Sequence, residues 1–289
     1  MWGEAQQYNS EKQCGIAVVE RFALRLDVED GALAGELVAG APPGVVFACG
    51  SALADRDGND QDVGFAPLGQ LALQLGDQGV SSLRFDRRGV GESAGNFAGP
   101  QQAVEDFLKV VEQAAQLPEI GPDPVLLGHA EGAGMAVVGA GRTAVRGLVL
   151  IAPPATMIHE LISYGSLAQA ALAQAPLEEH PDVLQKLQDE YRARSRPFLF
   201  RPVLRVACPV LILHGTMDWV FPPAEAEQIA AELERSGRRV TLEILPGLDH
   251  WLVSTRHWRA LEDNLSPGWP VDPSVAQRIA HWIWELNAT

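Results

Sequence analysis

Residues 127–134 read Leu127-Gly128-His129-Ala130-Glu131-Gly132-Ala133-Gly134. They follow a short apolar run, Val125 to Leu127, and open a helical pattern in which Met135 and Val138 share a face. Small residues two before and two after the central position permit a sharp strand-to-helix turn. Such a turn lifts the side chain of Ala130 to the top of a sheet. The helix start behind it offers unpaired N–H groups that stabilise negative charge.

The rest of the chain repeats this alternation. Short apolar runs bounded by turn residues predict strands buried on both faces at Val45 to Ala48, Ser82 to Phe85, Leu148 to Ala152 and Val210 to Leu213. Val240 to Leu245 alternates more and is expected near an edge. Helical spacing places Leu68, Leu71 and Leu75 on one face, and Val104, Phe107, Leu108 and Val111 on another. Ala226 to Leu233 and Val275 to Leu286 complete the set. Near the N-terminus, Phe22 to Leu26 and Leu33 to Val38 read as a hairpin turning at Glu29-Asp30-Gly31. Strand and helix in strict order predict an α/β fold, a mostly parallel central sheet with helices on both faces.

One segment breaks the rhythm. Residues 154–206 separate two predicted core strands, where a crossover needs only about a dozen residues. The expected organisation is a core of residues 1–153 and 207–289 with 154–206 as a helical lid insertion. The lid would carry helices over 157–172 and 181–194 and bring Met157, Ile158, Leu161, Leu167 and Phe198 toward a pocket.

Composition narrows the partners. The 289 residues are 47% hydrophobic, as in a packed globular protein, and 22 basic against 37 acidic residues give a net charge of −15. That surface repels phosphate backbones and anionic lipid, so neither nucleic acid nor membrane is an expected partner. The three cysteines, Cys14, Cys49 and Cys208, lack metal or disulfide spacing. The start MWGEAQQYNSEKQC has no basic segment leading into an apolar core, and a cytoplasmic location is expected. Nothing in the sequence sets an oligomeric state.

Four landmarks together resemble the α/β-hydrolase superfamily. Gly128 to Gly132 is similar to its nucleophile elbow, G-x-S-x-G, with alanine for serine. Asp86-Arg87-Arg88-Gly89-Val90-Gly91-Glu92-Ser93 resembles its D-x-R-G-x-G-x-S loop. His214-Gly215-Thr216-Met217-Asp218-Trp219-Val220-Phe221-Pro222 resembles its H-G-x-x-D-x-x-x-P acid segment, and Gly247 to Trp251 its histidine loop. The matches span residues 44 to 254 in the order nucleophile, acid, base.

The resemblance implies the α/β-hydrolase fold of an esterase-like serine hydrolase without cofactor or metal. Ala130 marks the nucleophile position, His250 the general base and Asp218 the acid that steadies it. The oxyanion hole would use the backbone N–H of Glu131 and, from the Cys49-Gly50-Ser51 loop, that of Ser51, with Ala52 the lesser choice. Ala52, His129, Met157, Ile158, Leu161, Trp219 and Trp251 are the expected substrate contacts, and the substrate a small-molecule ester, thioester or lactone. Asp55-Arg56-Asp57-Gly58-Asn59 looks superficially like a calcium loop, but its glycine is misplaced and no glutamate closes it. Carboxylate–arginine pairs are expected to pack it instead.

Alanine has no oxygen with which to attack a carbonyl. The expectation is therefore an inactive serine-to-alanine variant of a hydrolase. The alternative is a natural non-hydrolytic relative, either a ligand-binding protein or a cyclase or lyase using the His–Asp pair alone. An epoxide hydrolase or dehalogenase would need aspartate at position 130. A peptidase fits the loops but lacks an evident acidic anchor for a substrate amine.

Overall fold

The computed structural model describes residues 6–7, 19–48, 54–59, 64–97, 99–156, 183–193, 201–255 and 268–288. Nine strands form one sheet: β1 Gln6–Gln7, β2 Arg21–Val28, β3 Gly31–Val38, β4 Ala41–Ala48, β5 Val80–Phe85, β6 Val125–His129, β7 Gly147–Ile151, β8 Val210–Gly215 and β9 Val240–Leu245. Their spatial order is β1-β2-β3-β5-β4-β6-β7-β8-β9. β1, β2, β3 and β5 pair antiparallel, and every pairing from β5 through β9 is parallel.

Period-two alternation explains why the central strands are apolar throughout. Val45, Phe47, Leu127, Val149, Leu211 and Leu213 face one layer, while Val46, Leu126, Leu148, Leu150 and Ile212 face the other. The first layer is filled by helices α1 (Pro67–Asp77) and α6 (Pro273–Asn287), through Leu68, Leu71, Leu75, Val275, Ile279 and Ile283. The second is filled by α2 (Pro100–Ala114), α3 (Glu131–Ala140) and α5 (Ala224–Arg235), through Phe107, Val111, Ala133, Val137, Ile229 and Leu233. Each fully buried large aliphatic side chain contributes roughly 1.5–3 kcal/mol, so these two layers supply the fold's main driving force. β9 is half-exposed, as an edge strand with an alternating sequence should be.

The hairpin forms with Val28 opposite Gly31, so its loop is Glu29-Asp30 and Gly31 already belongs to β3. The positive φ of 61° falls on Asp30, whose short polar side chain tolerates that region. Between β7 and β8, the described residues include helix α4 (Val183–Ala193) and a 3-10 turn at Arg201–Arg205. The second helix expected in the insertion thus spans Val183–Ala193, whereas the one expected over 157–172 lies outside the described residues.

At two glycines near the ends of β6 and β8, segments meet with no room for a side chain. A Cβ on Gly128 would fall 2.5 Å from Cα of Ala133, and nearer still to the Gly132 carbonyl oxygen. A Cβ on Gly215 would strike the backbone of Leu248, which brings the histidine loop directly against the end of β8. Because both obstacles are backbone, they cannot swing aside. Gly128→Ala is therefore expected to destabilise the protein by about 1–3 kcal/mol or more, read as a lower midpoint in urea unfolding. An unchanged midpoint would show that the turn is looser than described.

Candidate active site

β6 ends at His129 and α3 begins at Glu131, leaving Ala130 as the one residue of the bend. Its backbone sits at φ 50° and ψ −123°, a conformation that L-residues adopt at a cost of about 1–3 kcal/mol. The bend is held from both sides. Ala130 donates its N–H to the Ile151 carbonyl at 2.9 Å, and its own carbonyl accepts from Ala133 at 3.0 Å. As the first residue of α3, Glu131 has an N–H with no acceptor one turn earlier in the helix, as an oxyanion donor requires.

Asp218 and His250, the expected acid and base, come from the loops after β8 and β9. His250 Nδ1 donates to Asp218 Oδ2 at 2.8 Å, and both side chains are buried. That contact fixes the tautomer with Nδ1 protonated and leaves Nε2 as the basic nitrogen. Asp218 Oδ1 accepts from the N–H groups of Val220 and Phe221, each at 2.8 Å. Its Oδ2 also lies 3.2 Å from His214 Nε2, which is 3.0 Å from the Phe221 carbonyl. A carbonyl only accepts, so His214 carries its proton on Nε2, and its buried Nδ1 makes no hydrogen bond. Burial alone would raise the Asp218 carboxyl. The charge of His250 and the hydrogen bonds from His214 and His250 outweigh it and hold the group below the usual carboxylate range.

Phe221 joins the two halves of the site. It forms a buried pair with Ala130, and its ring meets the His250 imidazole edge-on with centroids 5.0 Å apart. A single residue thus touches the bend and the base and donates its N–H to the acid. Trp251 also meets His250 edge-on, with centroids 5.1 Å apart, and Trp219 lies 6.0 Å from Trp251.

Of the residues selected from sequence, Ala130, Glu131, His129, Asp218, Trp219, His250 and Trp251 converge here. Ser51, Ala52, Met157, Ile158, Leu161, Leu167 and Phe198 lie outside the described residues. His129 is buried, donates Nε2–H to the His250 carbonyl at 2.8 Å, and packs its ring 4.8 Å from the His250 ring. His214 and Phe221 were read only as part of the acid segment, with no role of their own, and Glu225 was not selected, since nothing in its local sequence marks contacts made across the fold.

The loop at residues 55–59 behaves as expected from its arginines. Asp55 Oδ1 accepts from the N–H groups of Asp57 and Asn59, Asp57 pairs with Arg84 at 3.0 Å, and Arg56 pairs with Asp86 and Glu92. Among the described residues, no group of three or more His, Cys, Asp or Glu side chains is arranged to hold a metal ion. No helix among them is long and apolar enough to cross a membrane.

Burial, reinforced by the neighbouring His250 charge, pushes the His129 pKa from 6.5 down to about 3. The unfolded chain therefore takes up this proton first as pH falls. The stability His129 contributes is complete above about pH 6.5 and is lost progressively toward pH 3. Between pH 7 and pH 5 the loss from this group is about 2 kcal/mol. His129→Gln, which keeps a donor for the His250 carbonyl, should remove that part of the pH dependence in urea unfolding. An identical slope in the variant would show that His129 is not buried uncharged.

The model of the Prolyl oligopeptidase family matches residues 72–265. Esterase EstD of Thermotoga maritima is 26% identical over 247 residues, covering 78% of this chain and 59% of that protein. The chain spans about three fifths of the length of the curated relatives it matches. Among solved structures, Est1E from Butyrivibrio proteoclasticus aligns with a TM-score of 0.58 at 18% identity, over 92% of this chain and 99% of that one. An esterase of Pyrococcus furiosus aligns with a TM-score of 0.60 at 16% identity, over 93% and 90%. Both likenesses speak for the α/β-hydrolase fold, as does the sheet order found here. Since the family match runs over more than half of the 289 residues and includes the bend, the acid and the base, the chain belongs to the prolyl oligopeptidase family.

Proposed function

We propose that this chain is an esterase-type serine hydrolase whose nucleophile position holds Ala130. Its substrate class is a small or medium carboxylic ester, thioester or lactone, cleaved through an acyl-enzyme once serine stands at that position. The observation that carries this reading is the hydrogen bond from His250 to Asp218 at 2.8 Å, joined through Phe221 to a residue in a strained strand-to-helix bend. EstD and Est1E support the choice of esters, being an esterase by name and a fold neighbour solved with ferulic acid bound.

With serine at 130, His250 Nε2 takes the hydroxyl proton as the oxygen bonds to the substrate carbonyl carbon. The resulting oxyanion is met by the N–H of Glu131, with Ser51 expected as the second donor. His250 then protonates the departing alkoxide or thiolate. Water repeats the sequence on the acyl-enzyme and releases the acid. Asp218 stays ionised throughout, stabilising the imidazolium without taking its proton. The Ala130 methyl has no lone pair, so that route is closed, at a cost on the order of a million-fold in turnover.

Two other readings each have one observation in their favour. The family's name points to peptide bonds, and Ala130 itself points to a His–Asp site working without a covalent step, as a cyclase or lyase. Localisation in the cytoplasm and a lid formed by residues 154–206 remain part of the proposal.

The Ala130→Ser variant separates the readings. It should become labelled by a fluorophosphonate and hydrolyse p-nitrophenyl esters with turnover at least about 10³-fold above the parent chain. Ala130→Ser combined with His250→Ala should lose both. Cleavage of aminoacyl p-nitroanilides in preference to esters would replace the esterase reading with a peptidase. A variant inert to probe and esters alike would overturn the acyl-enzyme mechanism.

A further inference from the structure

The wall beside Ala130 comes partly from outside the sheet and its layers. Tyr191 and Val220 pack against the buried pair Ala130–Phe221. Val220 and Phe221 belong to the acid loop, but Tyr191 lies in α4, in the chain between β7 and β8. An aromatic residue has thus been brought to the bend from the insertion.

Its orientation is fixed at the far end of the ring. Tyr191 donates its hydroxyl to Glu225 Oε1 at 2.9 Å and lies 3.1 Å from Thr156 Oγ1. Glu225 is fully buried in the first turn of α5, a favourable place for a negative charge. Its other oxygen accepts from the N–H groups of Ala155 and Thr156 and from the Thr156 hydroxyl, at 2.7, 2.9 and 2.9 Å. With four donors around one carboxylate, the acceptor that holds Tyr191 is itself immobile. Two further contacts secure α4: Gln188 donates to the Thr216 carbonyl at 3.1 Å, and Arg192 pairs with Glu227 at 2.9 Å.

This arrangement spends the tyrosine hydroxyl on the anchor. The ring packs against Ala130 and Phe221, and the side chains meeting that pair, Tyr191 and Val220, offer apolar surface. Two carboxyl groups, Glu131 and Asp218, flank this pair along the chain. An anionic substituent there would lose hydration without gaining a cation among these residues.

We propose that Tyr191 is a specificity-determining residue. Its ring, with Phe221 and Val220, packs against the acyl group attached to the scissile carbonyl, and the site selects acyl groups that are uncharged and apolar. The inference rests on the hydrolase reading above and adds the acyl class to it. Glu225 acts through Tyr191 as a positioning residue.

The test uses the full chain carrying Ala130→Ser and the p-nitrophenyl esters of acetate, butyrate, benzoate and monosuccinate. The expected order places butyrate and benzoate above acetate, with the succinyl ester at least about tenfold below butyrate in kcat/KM. Adding Tyr191→Ala should lower the butyrate-to-acetate ratio of kcat/KM about tenfold, mainly through KM. Tyr191→Phe, which keeps the ring but loses its bond to Glu225, should lower the ratio by less than Tyr191→Ala does. Val220→Ala should shift the ratio in the same direction as Tyr191→Ala while leaving every hydrogen bond of the anchor intact, which covers the case in which Tyr191→Ala fails to fold. An active Ala130→Ser protein that cleaves the succinyl ester as well as butyrate, or whose ratio is unmoved by both Tyr191→Ala and Val220→Ala, overturns this proposal alone. A protein inert to all four esters and to fluorophosphonate overturns it together with the hydrolase reading.

Discussion

The contact between Gly128 and the first turn of α3 is the constraint on which the site depends. β6 reaches its end pressed against Ala133, so the chain cannot leave the sheet by a wide loop and must reverse within one residue. That residue is Ala130, and its backbone strain is offset by hydrogen bonds to Ile151 and Ala133 and by the burial of two full core layers. Both the position of the side chain above the sheet and the aim of the Glu131 N–H follow from it. A looser turn would keep the same strands and helices and lose the geometry that an oxyanion needs.

A second constraint gathers the remaining groups. Asp218 is fully buried, and such a carboxylate persists as an anion only when its lone pairs are used. Val220, Phe221, His214 and His250 use them, and each of these partners has another task. Phe221 covers Ala130, His214 ties the loop back to β8, and His250 presents Nε2 to the site. The base is held from below as well, through its carbonyl, by His129. Satisfying one buried charge therefore assembles nearly the whole constellation, and the low proton affinity of Asp218 expresses that assembly.

What could be read from the sequence was what local chemistry determines. Continuous apolar runs announced strands covered on both faces, and the alternating Val240 to Leu245 announced an edge, because burial acts on each residue through its own strand. The bend was legible because glycine at 128 and small residues after 130 are demanded by contacts within eight residues. The acid and base were legible only through resemblance of their segments to a family pattern. Glu225 and Tyr191 gave no local sign. They are 34 residues apart, and their bond exists because α4 packs on α5, which no periodicity in either helix foretells. The bond made by His129 was hidden for a related reason, since its partner is a carbonyl 121 residues away.

Alanine at the bend fits this scaffold without disturbing it. Strain at φ 50° arises between Cβ and the backbone, so it is the same for alanine as for serine, and removing the hydroxyl neither relieves the turn nor frees the chain to take another path. Asp218 remains ionised, because the groups that hold it so are His250, His214 and two backbone amides and none of them is residue 130. Under the proposed mechanism, the cost of the missing oxygen is thus confined to the reaction coordinate. A site whose preorganisation comes from buried charge and close backbone contact keeps its shape whether alanine or serine stands at the bend, and the same independence leaves the packing of Tyr191 against Ala130 and Phe221 unchanged.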